Sequence, residues 1–91
     1  MFVVVSYDVP ETKRRTQIMK LLKNFGRHAQ FSVFECDLTP AQLDDLRRRL
    51  RAVIHPPTDN VRLYFLAEDD VNRIETLAGR GVARDPVMYM V

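Results

Sequence analysis

Phe2-Val3-Val4-Val5-Ser6-Tyr7-Asp8, followed by Val9-Pro10-Glu11, is the stretch on which the fold turns. Its apolar run, with three β-branched valines, predicts a strand buried on both faces and central in a sheet. The run ends in one carboxylate, Asp8. Pro10 then forbids further central pairing and favours a first helical turn. A single acid therefore stands where a central strand leaves its sheet, a place used for ligand and metal chemistry in sheets with crossover helices. The simplest role for Asp8 is a helix cap. Asp8 and Glu11 have capping-box spacing, and capping is commoner than metal binding. One carboxylate is also a poor divalent site, because magnesium prefers one or two carboxylates with waters and phosphate oxygens. A metal reading needs a second Asp8, which a symmetric dimer would supply.

Downstream, the pattern predicts a helix over Glu11 to Phe25. Ile18, Leu21, Leu22 and Phe25 form its buried stripe, and Gly26 stops it in the usual position. Lys13 falls on the outer face with Gln17, Lys20 and Asn24. Arg14 and Arg15 fall beside the stripe, one turn inside the start, where they could reach back toward Asp8. Basic charge there opposes the helix dipole and wants a reason. In Arg27 to Leu38, Phe31, Val33, Phe34 and Leu38 interleave with polar residues. This predicts two short strands or one bent strand, broken near Phe31 and Ser32. Cys36 reads as a small packed thiol.

Thr39-Pro40-Ala41-Gln42 is a helix start with an N-cap, a first-position proline and the third-position glutamine of a capping box. Leu43, Leu46, Leu50, Val53 and Ile54 make the buried stripe. Arg47, Arg48, Arg49 and Arg51 crowd the remaining surface, partly balanced by Asp44 and Asp45 one turn earlier. His55 to Asn60 is a loop and Val61 to Leu66 a strand. Glu68-Asp69-Asp70 reads as an acidic turn, Val71 to Ala78 as either a short helix or a strand. Pro86 to Val91 reads as an apolar terminal strand. An exposed apolar edge is an aggregation hazard, which pairing with a second subunit would remove.

The 91 residues suffice for one small domain, 1–91, with a core that dimer burial would support. A net charge of +2 does not by itself imply nucleic acid, but eleven of the 14 basic residues are arginine, which grips phosphate in a fork. One cysteine excludes an intrachain disulfide and suits a reduced, cytoplasmic setting. No apolar run approaches a membrane span, and residues 1–5 lack the features of a signal peptide. The element order is β-α-β-β-α-β plus a terminal strand. It predicts an α+β fold of the ferredoxin-like kind, two helices on one face of an antiparallel sheet.

Val5-Ser6-Tyr7-Asp8-Val9, a basic first helix, Gln30-Phe31-Ser32-Val33-Phe34-Glu35, Val61-Arg62-Leu63-Tyr64 and the Pro-initiated apolar terminus occur in this order. Together they resemble the small CRISPR-associated adaptation protein, the second of the two subunits that acquire new spacers. The resemblance covers nearly the whole chain. It implies a ferredoxin-like homodimer whose C-terminal strand joins the partner's sheet. It implies two Asp8 carboxylates facing across the two-fold and sharing one magnesium, and a metal-dependent endonuclease acting on RNA or DNA. It also implies bridging of integrase subunits and contact with captured duplex.

By position, Tyr7, Asp8, Arg15 and Phe34 match the family's site. His28 stands where some members carry arginine, with Arg27 beside it, and Gln17 where some carry a second helix arginine. The resemblance thus assigns catalysis and metal binding to Asp8. Arg14, Arg15, Arg27 and His28 are left for nucleic acid, and Ser6, Tyr7 and Phe34 for support. The competing reading is a non-catalytic dimeric scaffold that binds duplex phosphates without reading bases. A metabolite-sensing ferredoxin-like dimer is more remote, given the arginine excess and the lack of a Gly-rich effector loop.

Overall fold

The computed structural model describes residues 1–82. The elements are β1 (Phe2–Asp8), α1 (Thr12–Leu22), β2 (Arg27–Gln30), β3 (Val33–Asp37), α2 (Pro40–Val53), β4 (Asn60–Leu66) and a short α3 (Glu68–Asn72). The four strands form one sheet in the order β2-β3-β1-β4, antiparallel at every junction. This is the ferredoxin-like arrangement expected from the element order. The expected terminal strand over Pro86 to Val91 lies outside the described residues.

β1 is central, between β3 and β4, as its valines require. Its two faces differ. Val3, Val5 and Tyr7 are buried under the helices with Phe34, Cys36, Ile18, Leu22, Leu43, Leu46 and Leu50. Val4 and Ser6, pointing the other way, are only half-buried. Burial on both faces, expected from the valine run, is complete on the helix face; on the open face it holds at Phe2, 5% exposed, and falls to half-burial at Val4 and Ser6. Cys36 is buried, and burial, with the Glu35 charge beside it, pushes its thiol up to about 12. That suits the packed, unreactive thiol expected.

The ends of α1 depart from the sequence reading. The N-cap is Glu11, with no side-chain cap bond, so the Asp8–Glu11 capping box does not form. Asp8 instead completes the β1–β4 ladder opposite Asn60, which leaves it too far along the strand to cap. The helix stops at Leu22, with turn residues before Gly26. Gly26 is not in the left-handed region. It is needed for space: a Cβ there would lie 2.5 Å from Cys36 Sγ and 2.9 Å from Cys36 Cα, and closer still to the Glu35 carbonyl oxygen. α2 starts as expected, with a complete capping box. Glu68 to Asp70 is not a free acidic turn but the first turn of α3, where Asp70 Oδ2 accepts from Ala67 N at 3.3 Å.

Candidate functional site

The β1 exit is rigid because its neighbours pin it. Val9 is buried behind Asp8, and Tyr7, 4% exposed, points under the helices. The Tyr7 backbone N–H donates to Ser32 O at 3.0 Å, and its hydroxyl donates to Phe31 O at 3.3 Å. The β2–β3 turn is thus fastened beside the last residues of β1. Burial pushes the Tyr7 phenol up, opposed by the nearby Arg15 charge. The phenol therefore stays a neutral donor at ordinary pH. Asp8 itself is exposed, and its carboxylate has no side-chain hydrogen bond or ion pair among the described residues.

Arg15 does reach back. Its Nη1 donates to Val9 O at 2.9 Å and Pro10 O at 3.3 Å, and its Nη2 to Thr12 Oγ1 at 3.1 Å. The guanidinium lies along the β1–α1 connection with donors left over. Arg14 turns the other way. It makes a two-pronged contact with Asp59, Nε–Oδ2 2.8 Å and Nη2–Oδ1 3.0 Å, and also meets Glu11 at 3.2 Å. The Asp59 side chain is inaccessible to solvent and accepts from His55 N and Thr58 Oγ1 as well. The Arg14 hydrogen bonds, with those from His55 and Thr58, hold the Asp59 carboxyl well below the usual carboxylate range, against the opposing effect of burial. Arg14 thereby ties α1 to the loop that delivers Asn60 opposite Asp8.

Arg27 and His28 are consecutive but face apart, since strand side chains alternate. His28 lies over Phe34, centroids 4.5 Å apart and planes 2° from parallel, with Nε2 2.7 Å from Phe31 O. A carbonyl only accepts, so Nε2 carries the proton and donates. Arg27 sits on the open face, paired with Glu35 at 3.3 Å and bonded to the Gly81 carbonyl. Phe34 is fully buried and supports His28 and Tyr7 from beneath. Ser6 is half-buried on the open face beside β4.

Around the end of β1 the structure brings Tyr7, His28 and Phe34 together on the helix face, with Arg15 along the β1–α1 connection, while Asp8 lies on the opposite, open face with Ser6 two residues before it. Arg14 and Arg27 are directed elsewhere. Two further residues shape this end of the sheet. The pattern predicts only a loop at Asp59, although its place in Thr58-Asp59-Asn60 is typical of side chains that bond nearby backbone. Phe31, a strand former by residue type, is 96% exposed at the turn. Among the described residues no three His, Cys, Asp or Glu side chains converge as a metal cluster. At the end of β1 the described residues of one chain offer the Asp8 carboxylate, too few ligands for magnesium; two copies of Asp8 would fit its preference for oxygen donors.

The family model described as CRISPR associated protein Cas2 matches residues 1–74. The chain is 41% identical over 92 residues to a CRISPR-associated endoribonuclease Cas2 of Chloroflexus aurantiacus, covering all of this chain and 98% of that one. It is similar to the crystal structure of Streptococcus pyogenes Cas2, with TM-score 0.75 and 40% identity over 86% of this chain and 100% of that one. A chain of a partial Cas6-RT-Cas1–Cas2 complex matches with TM-score 0.76 and 27% identity, over 93% of each.

Proposed function

The chain belongs to the family of CRISPR-associated protein Cas2, and from that premise we propose that it is a CRISPR adaptation subunit, a homodimer that binds nucleic acid at the β1 exit and cleaves phosphodiester bonds there. The observation that carries this reading is the exposed, unpartnered Asp8 carboxylate at the end of β1, followed by a connection along which the Arg15 guanidinium is fixed. Relatives bear the name endoribonuclease, and one structural neighbour comes from a complex with Cas1, so an integrase subunit is the proposed protein partner.

Two Asp8 carboxylates brought together across a two-fold would hold one magnesium, which when bound supplies charge neutralisation and a more acidic water. The remaining work falls to this chain. Arg15, anchored on backbone carbonyls, presents its free N–H groups to a phosphate with little side-chain entropy left to lose. His28 offers its second ring nitrogen from a fixed ring plane. Tyr7 and Phe34 hold these groups in place, and Ser6 adds a hydroxyl near Asp8. Arg14 and Arg27, each already beside a carboxylate, contribute to phosphate binding mainly through local potential. The terminal strand, placed on a second subunit's sheet, would cover an apolar edge.

The scaffold reading is kept because a matching chain sits in an assembly with Cas1. Cleavage of labelled RNA and duplex DNA, with and without magnesium, separates the two for the native chain and Asp8→Ala from the same dimer peak. Metal-dependent cleavage lost in Asp8→Ala, with binding retained, supports the nuclease. Equal cleavage by both proteins removes it, as does salt-sensitive duplex binding without cleavage.

A further inference from the structure

Phe31 is the most exposed aromatic ring of the described residues, at 96%. An isolated exposed apolar side chain needs no explanation. This one is unusual in how firmly its backbone is held. Its carbonyl accepts from both the Tyr7 hydroxyl and His28 Nε2, at 3.3 and 2.7 Å. The next carbonyl, of Ser32, accepts from Tyr7 N. His28 is itself locked against Phe34. A register irregularity between His28 and Gln30 offsets the turn from the regular ladder, and such bulges re-aim side chains. The register puts Ser32 beside Tyr7, so Phe31 projects at the rim of the Asp8 end. His28 and the exposed Gln30 flank Phe31, and the Arg15 charge acts on the Tyr7 hydroxyl that holds its carbonyl.

We propose that Phe31 is a stacking platform for an unpaired nucleobase, which places one nucleotide of a single strand at the β1 exit. The inference rests on the reading that nucleic acid reaches Asp8. A rigid ring near the Arg15 cation suits a strand whose base faces are open, because every base has a stacking face while a paired base in duplex hides its own. The Arg15 cation, with the hydrogen-bonding His28 and Gln30 side chains, favours an anionic strand over an apolar peptide as the occupant. The shared chemistry is the unpaired base; RNA and DNA strands are distinguished by using both.

The chain has no tryptophan, so Phe31→Trp introduces a single reporter. Its emission is followed during titration with oligouridylate, oligothymidylate and a blunt duplex of about ten nucleotides, near the footprint of small single-strand binders. Quenching by the single strands and not by duplex is expected, with affinity at least that of the native chain. Phe31→Ala and Phe31→Leu should each lose about tenfold in single-strand affinity, the scale of one stacked base, and leave duplex binding unchanged. Quenching by one strand type alone assigns the platform to RNA or to DNA.

The proposal is overturned by unmoved emission at saturation, by native affinity in Phe31→Leu, or by equal losses for strand and duplex. It is also overturned if Phe31→Ala changes the oligomeric state or integrase-subunit binding and nothing else, since Phe31 would then be a protein anchor. Asp8→Ala in the Phe31→Trp background separates the two readings. Quenching that persists while cleavage is indifferent to Asp8 removes the nuclease and leaves the platform standing.

Discussion

The two long helices begin in opposite ways. At the start of α2, Thr39 Oγ1 accepts from Gln42 N at 3.2 Å, and Gln42 Oε1 accepts from Thr39 N at 2.9 Å, with Pro40 between them. Amide donors that would otherwise lack partners are met by side chains. At the start of α1, Glu11 makes no cap bond, and the first turn carries Lys13, Arg14 and Arg15 with no acid. Cations at that end oppose the helix dipole. α1 tolerates this because Arg14 is paired with the Asp59 carboxylate and Arg15, still charged, donates to the Val9 and Pro10 carbonyls. The helix start that serves only the fold is built for stability. The one that follows Asp8 lacks a side-chain cap and keeps donors and positive charge, the kind of local compromise the proposed site would require.

The sharpest way to break this contrast is Asp8→Ala. Cleavage should fall at least about a hundredfold, the scale on which one charge-stabilising group acts. The thermal midpoint should stay unchanged, because the side chain is exposed and unpartnered. A drop in stability comparable with the loss of activity would mean that Asp8 is structural after all.

Asp59→Asn should come next, as a stability effect. It weakens the acceptor for Arg14 and for His55 N, and frees the loop before Asn60. The pH dependence has a definite sign. Asp59 is depressed below its ordinary 3.8 in the fold, so its contribution is fully present above that value and declines as pH falls below it toward the folded value. Denaturant midpoints measured from neutral pH into acid should converge for native and Asp59→Asn proteins below about pH 4. Curves that stay parallel would show that Arg14 is not what stabilises this carboxylate.

Thr39→Ala removes half of the α2 capping box and should cost about 1 kcal/mol in chemical denaturation, with nucleic-acid binding intact. The smallest change goes the other way. Glu11→Asp gives α1 a shorter carboxylate at its N-cap and should add about 0.5 kcal/mol. If it also lowers binding at the β1 exit, the uncapped start is tied to function; if binding is unaffected, the missing cap is incidental.

Much of the architecture was legible because its signals are local. The valines of β1, the Thr39-Pro40-Gln42 start and the leucine stripe of α2 each state their structure within a few residues. The break at Phe31 and Ser32 was legible for the same reason. Gly26 was located correctly, but for a helix-stop reason that the structure replaces with the close approach of β3. The Asp8–Glu11 spacing misled, because spacing alone does not say how far a strand pairs before the helix begins.

The site divides along the same line. The sequence by itself determined that a lone carboxylate ends a central strand, that arginines follow it on a helix, and that the elements run in ferredoxin-like order. Those properties depend on residue type and short-range periodicity. Only the tertiary structure decided that Arg14 belongs to Asp59 across 45 positions and that Arg27 and His28 part to opposite faces. It alone decided that Tyr7 and His28 grip the carbonyl of an exposed Phe31. Each is a contact between segments distant in the chain or a consequence of strand register. A one-residue change of register reverses every side chain's direction, and no local pattern records it.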